Sequence, residues 1–229
     1  MNTHTFLRII CITASILSIY SCTVKNTPQY ATYMTAVGDM TPPASGNIKY
    51  LVSDDSIMIY PANALYAINS LKHNQRIFAT FTIPSGEITD PVQVEFSTVS
   101  YLDEEDIMET TAPDSLGNDP MPVISAWHSG GIHGAGRFVT LTFEYRGGGM
   151  AFHSMALADN TDLENNPDED GYYHLFLRHN SNNDPELYYY SGVTTYPLTD
   201  KYTAAGIKGL KINFKPFSSD YDSTVVVNY

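Results

Sequence analysis

His128 and His133 flank the loop Ser129-Gly130-Gly131-Ile132, and two histidines around a glycine loop are the start of a zinc site. Zinc hydrolysis needs a further ligand, and no carboxylate in the neighbouring sequence supplies it. His174 and His179 fall in one run with strand character. They are five positions apart, so on a strand they point to opposite faces and cannot chelate one ion. His153 shares a face with Ala151, Met155 and Leu157 and reads as a core histidine with satisfied nitrogens. The acidic loop Asn166-Pro167-Asp168-Glu169-Asp170-Gly171 has oxygen donors at alternate positions before a glycine, as a calcium loop does. The bidentate glutamate of that pattern would fall on Leu177, so the loop reads as a solvated turn.

Other chemistry leaves no signature. The chain has no Gly-x-Ser-x-Gly elbow, no His-Glu-x-x-His helix and no Gly-x-Gly-x-x-Gly turn. Gly147-Gly148-Gly149 lacks the lysine and the following helix of a phosphate loop. No catalytic residue, metal or cofactor is assigned. Tyrosine is the unusual residue type, densest at Tyr188-Tyr189-Tyr190. On a strand, Tyr188 and Tyr190 share one face and Tyr189 takes the other. Exposed tyrosines offer large contact area at low entropic cost to sugars or protein partners. Tyr188, Tyr190 and the single tryptophan, Trp127, are therefore the candidate ligand-binding residues.

Near the N-terminus Arg8 precedes an apolar run that closes on Ile19-Tyr20-Ser21-Cys22. A basic start, a short apolar stretch and a small residue before the cut make a secretory signal. The run is too short to span a bilayer. A cysteine after the small residue resembles the lipobox of bacterial lipoproteins, which makes Cys22 the lipidated first residue of the mature chain. The residues after Cys22, Thr23-Val24-Lys25-Asn26, carry neither an acidic run nor an immediate aspartate, and the outer membrane is the expected location. The other cysteine, Cys11, leaves with the signal, so thiol chemistry and disulfides are not expected. With 25 acidic against 12 basic residues the formal charge is −13, and losing Arg8 makes it one unit more negative. Such a surface repels nucleic acid.

Apolar residues alternate at period two through most of the remainder. Val92, Val94 and Phe96 oppose Gln93, Glu95 and Ser97; Val139, Leu141, Phe143 and Tyr145 oppose Thr140, Thr142 and Glu144. Leu210, Ile212 and Phe214 oppose Lys211, Asn213 and Lys215. Many short strands with turn signals between them predict an all-β chain of sandwich or barrel type. The acidic stretch Asp103-Glu104-Glu105-Asp106, with Pro113 soon after, reads as an interdomain linker.

Four blocks resemble the NigD-like lipoproteins of Gram-negative gut and oral anaerobes. The first is Asn47 to Ser56 with Ile59-Tyr60-Pro61-Ala62-Asn63 and Asn74-Gln75-Arg76-Ile77. The second is Asp114-Ser115-Leu116-Gly117-Asn118-Asp119-Pro120 with Trp127, the third Gly171 to Asn180, and the fourth Tyr190-Ser191-Gly192-Val193. The resemblance implies an OB-like barrel followed by an immunoglobulin-like β-sandwich, and no catalytic residues. The expected organisation is a signal peptide over 1–21, a flexible tether over 22–35, an OB-like barrel over 36–102, an acidic linker over 103–117 and a β-sandwich over 118–229. The expected function is that of a non-catalytic binding or interaction module of the envelope, held to the membrane by its lipid, with a protein or glycan partner. A carbohydrate-binding accessory using the exposed tyrosines is the first alternative. A metal-dependent hydrolase using His128 and His133 is the second.

Overall fold

A computed structural model describes residues 28–38, 50–63, 68 and 70–229. The chain is all-β and divides into two units, each built around its own apolar core.

The first unit is a closed five-stranded barrel. Strands β1 (Gln29–Val37), β2 (Tyr50–Ser53), β3 (Met58–Pro61), β4 (Arg76–Thr82) and β5 (Val92–Tyr101) close in the order β1-β2-β3-β5-β4. Only β3 and β5 run parallel, which gives the OB-like topology. The period-two pattern of β5 is realised as read: Val92, Val94 and Phe96 are buried and Gln93, Glu95 and Ser97 exposed. Arg76 is fully buried at the start of β4, where its guanidinium forms a two-toothed ion pair with Asp54 at 2.5 and 2.8 Å. Residues 130–136 belong to this unit. The Tyr50 hydroxyl donates to the His133 carbonyl, and the Asn74 side-chain oxygen accepts from the Gly136 amide.

The second unit is an immunoglobulin-like sandwich. Its strands are β6 (Asp103–Glu104), β7 (Met108–Thr110), β8 (Val123–Gly130), β9 (Arg137–Gly147), β10 (Ser154–Asn160), β11 (Tyr172–Asn180), β12 (Tyr188–Pro197), β13 (Gly209–Phe214) and β14 (Ser223–Asn228). One sheet has the order β14-β13-β11-β10-β7 and the other β6-β12-β9-β8. Leu141, Leu157, Leu175 and Ile212 meet in the core with no exposed surface. β12 is one strand from Tyr188 to Pro197, paired along its whole length with β9. Gly192 lies opposite Phe143, whose ring would stand 2.5 Å from a Cβ at 192, so the strand crosses that ring only with glycine there.

Two expected boundaries are corrected. The tether over 22–35 and the barrel start at 36 give way to β1, which begins at Gln29 and pairs with both β2 and β4. The first half of β1 is only partly buried, so its sequence carries no sharp alternation. The stretch 103–117 is no linker. β6 pairs in parallel with β12, β7 pairs in parallel with β10, and Pro113–Leu116 forms a short 3₁₀ turn. Short, charged, exposed strands are what a sheet edge needs to stay unpaired, and that edge chemistry reads in sequence like a solvated linker.

Candidate functional site

A group of exposed apolar side chains lies at one end of the sandwich, where β9 leaves its sheet at Gly147 and the chain turns toward β10. In that turn Met150 is 80% exposed and Phe152 86%. Beside them the strand β12 begins, bringing Leu187 and the tyrosines of 188–190. Large apolar side chains exposed singly are ordinary; a contiguous exposed group is what marks a contact surface.

The turn is held by one carboxylate. Asp184 follows β11, and its side chain is almost fully buried. Its Oδ2 accepts from the amides of Gly148 (2.5 Å) and Gly149 (2.9 Å), and its Oδ1 from those of Met150 (2.8 Å) and Ala151 (3.0 Å). Four successive N–H groups thus close around an internal anion. His153 Nε2 completes the set at 3.1 Å from Oδ2. Burial opposes ionisation of Asp184, but the donors from Met150, His153, Gly148 and Gly149 outweigh it and hold the carboxyl well below the usual range. Two of the three glycines are explained here. A Cβ at 147 would stand 2.8 Å from Asp184 Oδ2 and 2.9 Å from His153 Nε2. Gly149 has φ +73°, a conformation that favours glycine. Asn182 adds a donor to the Phe152 carbonyl at 2.6 Å.

Behind the turn the polar chain continues. His153 Nδ1 lies 2.8 Å from His179 Nε2, and the two rings stack at 5.0 Å. Tyr145 of β9 packs on both rings, and Tyr190 stacks on Tyr145 at 5.4 Å and 20°. Asp119 stands near His179 and accepts from both the amide and the hydroxyl of Ser181. Burial first, then the neighbouring His153, lowers the pKa of His179 below that of an ordinary imidazole. This Asp184–His153–His179 line has the look of a catalytic relay, but its last ring is covered by Tyr145 and abuts no serine or cysteine nucleophile among the described residues.

The sequence candidates fall in several places. Cys22 lies outside the described residues. Tyr188 and Tyr190 share a face as read and are 62% and 38% exposed. Tyr189 points the other way, onto Arg146 and Phe217. Trp127 is half-buried in β8, in the same sheet but beyond β9, and is not part of this cluster. His128 packs on Tyr229, and His133 sits in the 130–136 loop of the other unit. Among the described residues no three potential ligands converge on a metal position. His153 is satisfied as expected, though by Asp184 and His179 rather than by core packing alone. In the acidic loop, Asp168 accepts from the Lys211 ammonium at 2.5 Å, from His174 and from the Tyr172 amide. The Lys211 hydrogen bond leads the causes that hold the Asp168 carboxyl far below its usual range, so a lysine from β13 supplies the positive charge a calcium ion would bring.

Sequence reasoning missed Asp184, Met150, Phe152 and Leu187. One signal was visible, a triple glycine with no phosphate-loop partners. Its actual partner, Asp184, lies 36 residues beyond Gly148 and carries no mark of its own.

The family model for the NigD-like C-terminal beta sandwich domain matches residues 104–229. No curated protein matches the chain. Solved structures share the fold. A protein of unknown function from Bacteroides vulgatus superposes with a TM-score of 0.68 at 18% identity, over 88% of this chain and 90% of its own. A putative toxin related protein from Parabacteroides distasonis gives 0.63 at 23% identity, over 88% and 93%. A NigD-like immunity protein from Bacteroides caccae gives 0.55 at 16% identity, over 91% and 93%.

Proposed function

The chain belongs to the NigD-like family, and from that premise we propose that it is a lipid-anchored, non-catalytic binding module of the cell envelope whose sandwich rim contacts a protein partner. The rim is Met150, Phe152, Leu187, Tyr188 and Tyr190. The single observation that carries this reading is their joint exposure on, and beside, a turn that Asp184 holds by four backbone hydrogen bonds. Aromatic and methionine side chains in a fixed arrangement are what interface centres are made of, since little ordering entropy remains to be lost on binding. The anchor is Cys22, supported by the lipobox-like sequence before it. Membrane attachment confines the rim to the envelope and raises its effective concentration there. One fold relative is named an immunity protein, a role that fits binding rather than turnover.

The test places a photo-reactive phenylalanine analogue at Phe152 and, as a control, at the equally exposed Tyr221, in the producing cell. A discrete protein adduct from position 152 alone, lost when Leu187→Asp is added, is expected. Equal adducts from both positions, adducts to glycan only, or none at all would overturn the reading.

A further inference from the structure

The rim turn ends on His153, and His153 is tied to a second buried imidazole. Their 2.8 Å contact joins Nδ1 of one ring to Nε2 of the other, and it holds only if one proton lies between two nitrogens. With both rings neutral the line is consistent: His179 Nε2–H donates to His153 Nδ1, and His153 Nε2–H donates to Asp184. One added proton leaves it intact: it enters at His179 Nδ1, a buried nitrogen without another partner, the shared hydrogen passes to His153 Nδ1, and His153 then donates to both Asp184 and His179. A second added proton puts a hydrogen on each of the facing nitrogens. The contact then becomes a collision of two donors on two cations whose ring centres are 5.0 Å apart.

The two rings are not equally free to move. His179 lies within β11, which is paired with β10 and β13. His153 lies just before β10, at the end of the exposed turn. We propose that the rim is a pH-gated surface: a second proton on the His153–His179 pair drives the rings apart, the strand holds, and the turn carrying Met150 and Phe152 is displaced, so that the surface is assembled in neutral solution and dismantled in acid.

The groups facing the pair bear on where this happens. Asp184, from the loop after β11, faces His153, with its Oδ2 at 3.1 Å from Nε2. Asp119, from the segment before β8, stands near His179 and favours a cation on that ring. Tyr145, from β9, covers both rings and shields them from water. Burial of His179 and the neighbouring His153 work against the second proton and outweigh Asp119. An imidazole buried without its proton must gain one on release, so it stabilises the closed turn above the ordinary histidine range, about 6.5, and that contribution is lost as the pH falls below it. The inference rests on the rim being the contact surface, but its test needs no partner, so the two stand or fall separately.

Two-dimensional NMR of the full mature chain, titrated from about pH 8 to about pH 4.5, tests it across the histidine range. The expected result is one transition in the amides of Met150, Ala151 and Phe152 below about pH 6.5, coincident with titration of the two ring systems. The amides of Leu210 and Ile212 in β13 should not move. His179→Gln, which can bond His153 but cannot take a proton, should lose that transition. His153→Gln serves the same purpose if the first variant does not fold. Turn amides that stay still while the rings titrate, that move only together with Leu210 and Ile212, or that keep their transition in the folded variant would overturn the proposal.

Discussion

Gly117 lies against the backbone of His179, so closely that a Cβ at 117 would stand 2.3 Å from the His179 carbonyl oxygen. The Asp119 amide donates to that same oxygen at 2.9 Å. The segment before β8 is thereby laid along β11, beneath the imidazole line that backs the rim. Gly117 also has φ +127°, where only glycine is unstrained. Gly117→Ala should destabilise the sandwich by about 2–4 kcal/mol, from backbone overlap together with strain. Urea unfolding followed by circular dichroism measures it, and an unchanged midpoint would contradict the packing.

Arg178, the residue before His179, is buried and joins two distant segments. Its guanidinium bonds Asp114 in the 3₁₀ turn and Asp222 ahead of β14, each at 3.0 Å. Hydrogen bonds to charged groups contribute about 1.5–3 kcal/mol, and the carboxylates left without Arg178, 76% and 29% exposed, stay solvated. Arg178→Ala should lower stability by that order, and Arg178→Lys should recover little, because a single ammonium cannot span two carboxylates as a planar fork does. The same unfolding experiment reads both variants.

Asp184→Asn keeps the shape of the clamp and spoils its chemistry. An amide nitrogen would face two backbone N–H groups that now meet a carboxylate oxygen, so two acceptor positions are lost. Hydrogen exchange at residues 148–151 should accelerate while the amides of β13 keep their protection. Because the native carboxyl titrates below its unfolded value, the advantage of aspartate is present above about pH 4 and disappears as acid protonates it. The exchange difference between wild type and variant should therefore shrink toward low pH.

Lys211 is the leading reason that the Asp168 carboxyl is held low. In Lys211→Met that carboxyl should titrate nearer the ordinary aspartate value of about 3.9. Carbon-detected NMR of the Asp168 side chain reads the shift directly. A carboxyl that keeps its low value would show that the Tyr172 amide and His174 suffice.

The sequence made the strand faces legible wherever one side is buried and the other wet. β5 alternates as read, β9 only in part because Thr140 is fully buried on the face read as wet, and Tyr188 and Tyr190 part from Tyr189 as period two requires. It hid elements of two kinds. β1 is half-buried at its start, and β6 and β7 are charged edges of two and three residues, so neither kind shows alternation. The resemblance blocks were visible as blocks, but not as one contact: Asp114 and Gly117 of one block meet Arg178 and His179 of another. The clamp was the least legible feature. Asp184 and His153 are joined across 31 positions, and only the fold brings a loop carboxylate beneath four consecutive amides.

The central claim is that the clamped rim is a contact surface. Hydrogen–deuterium exchange of the protein, alone and with the partner captured at position 152, checks this. Added protection is expected at Met150–Phe152 and Leu187–Tyr190, with none around Tyr221. Protection confined to other segments, or none anywhere at saturating partner, would contradict it.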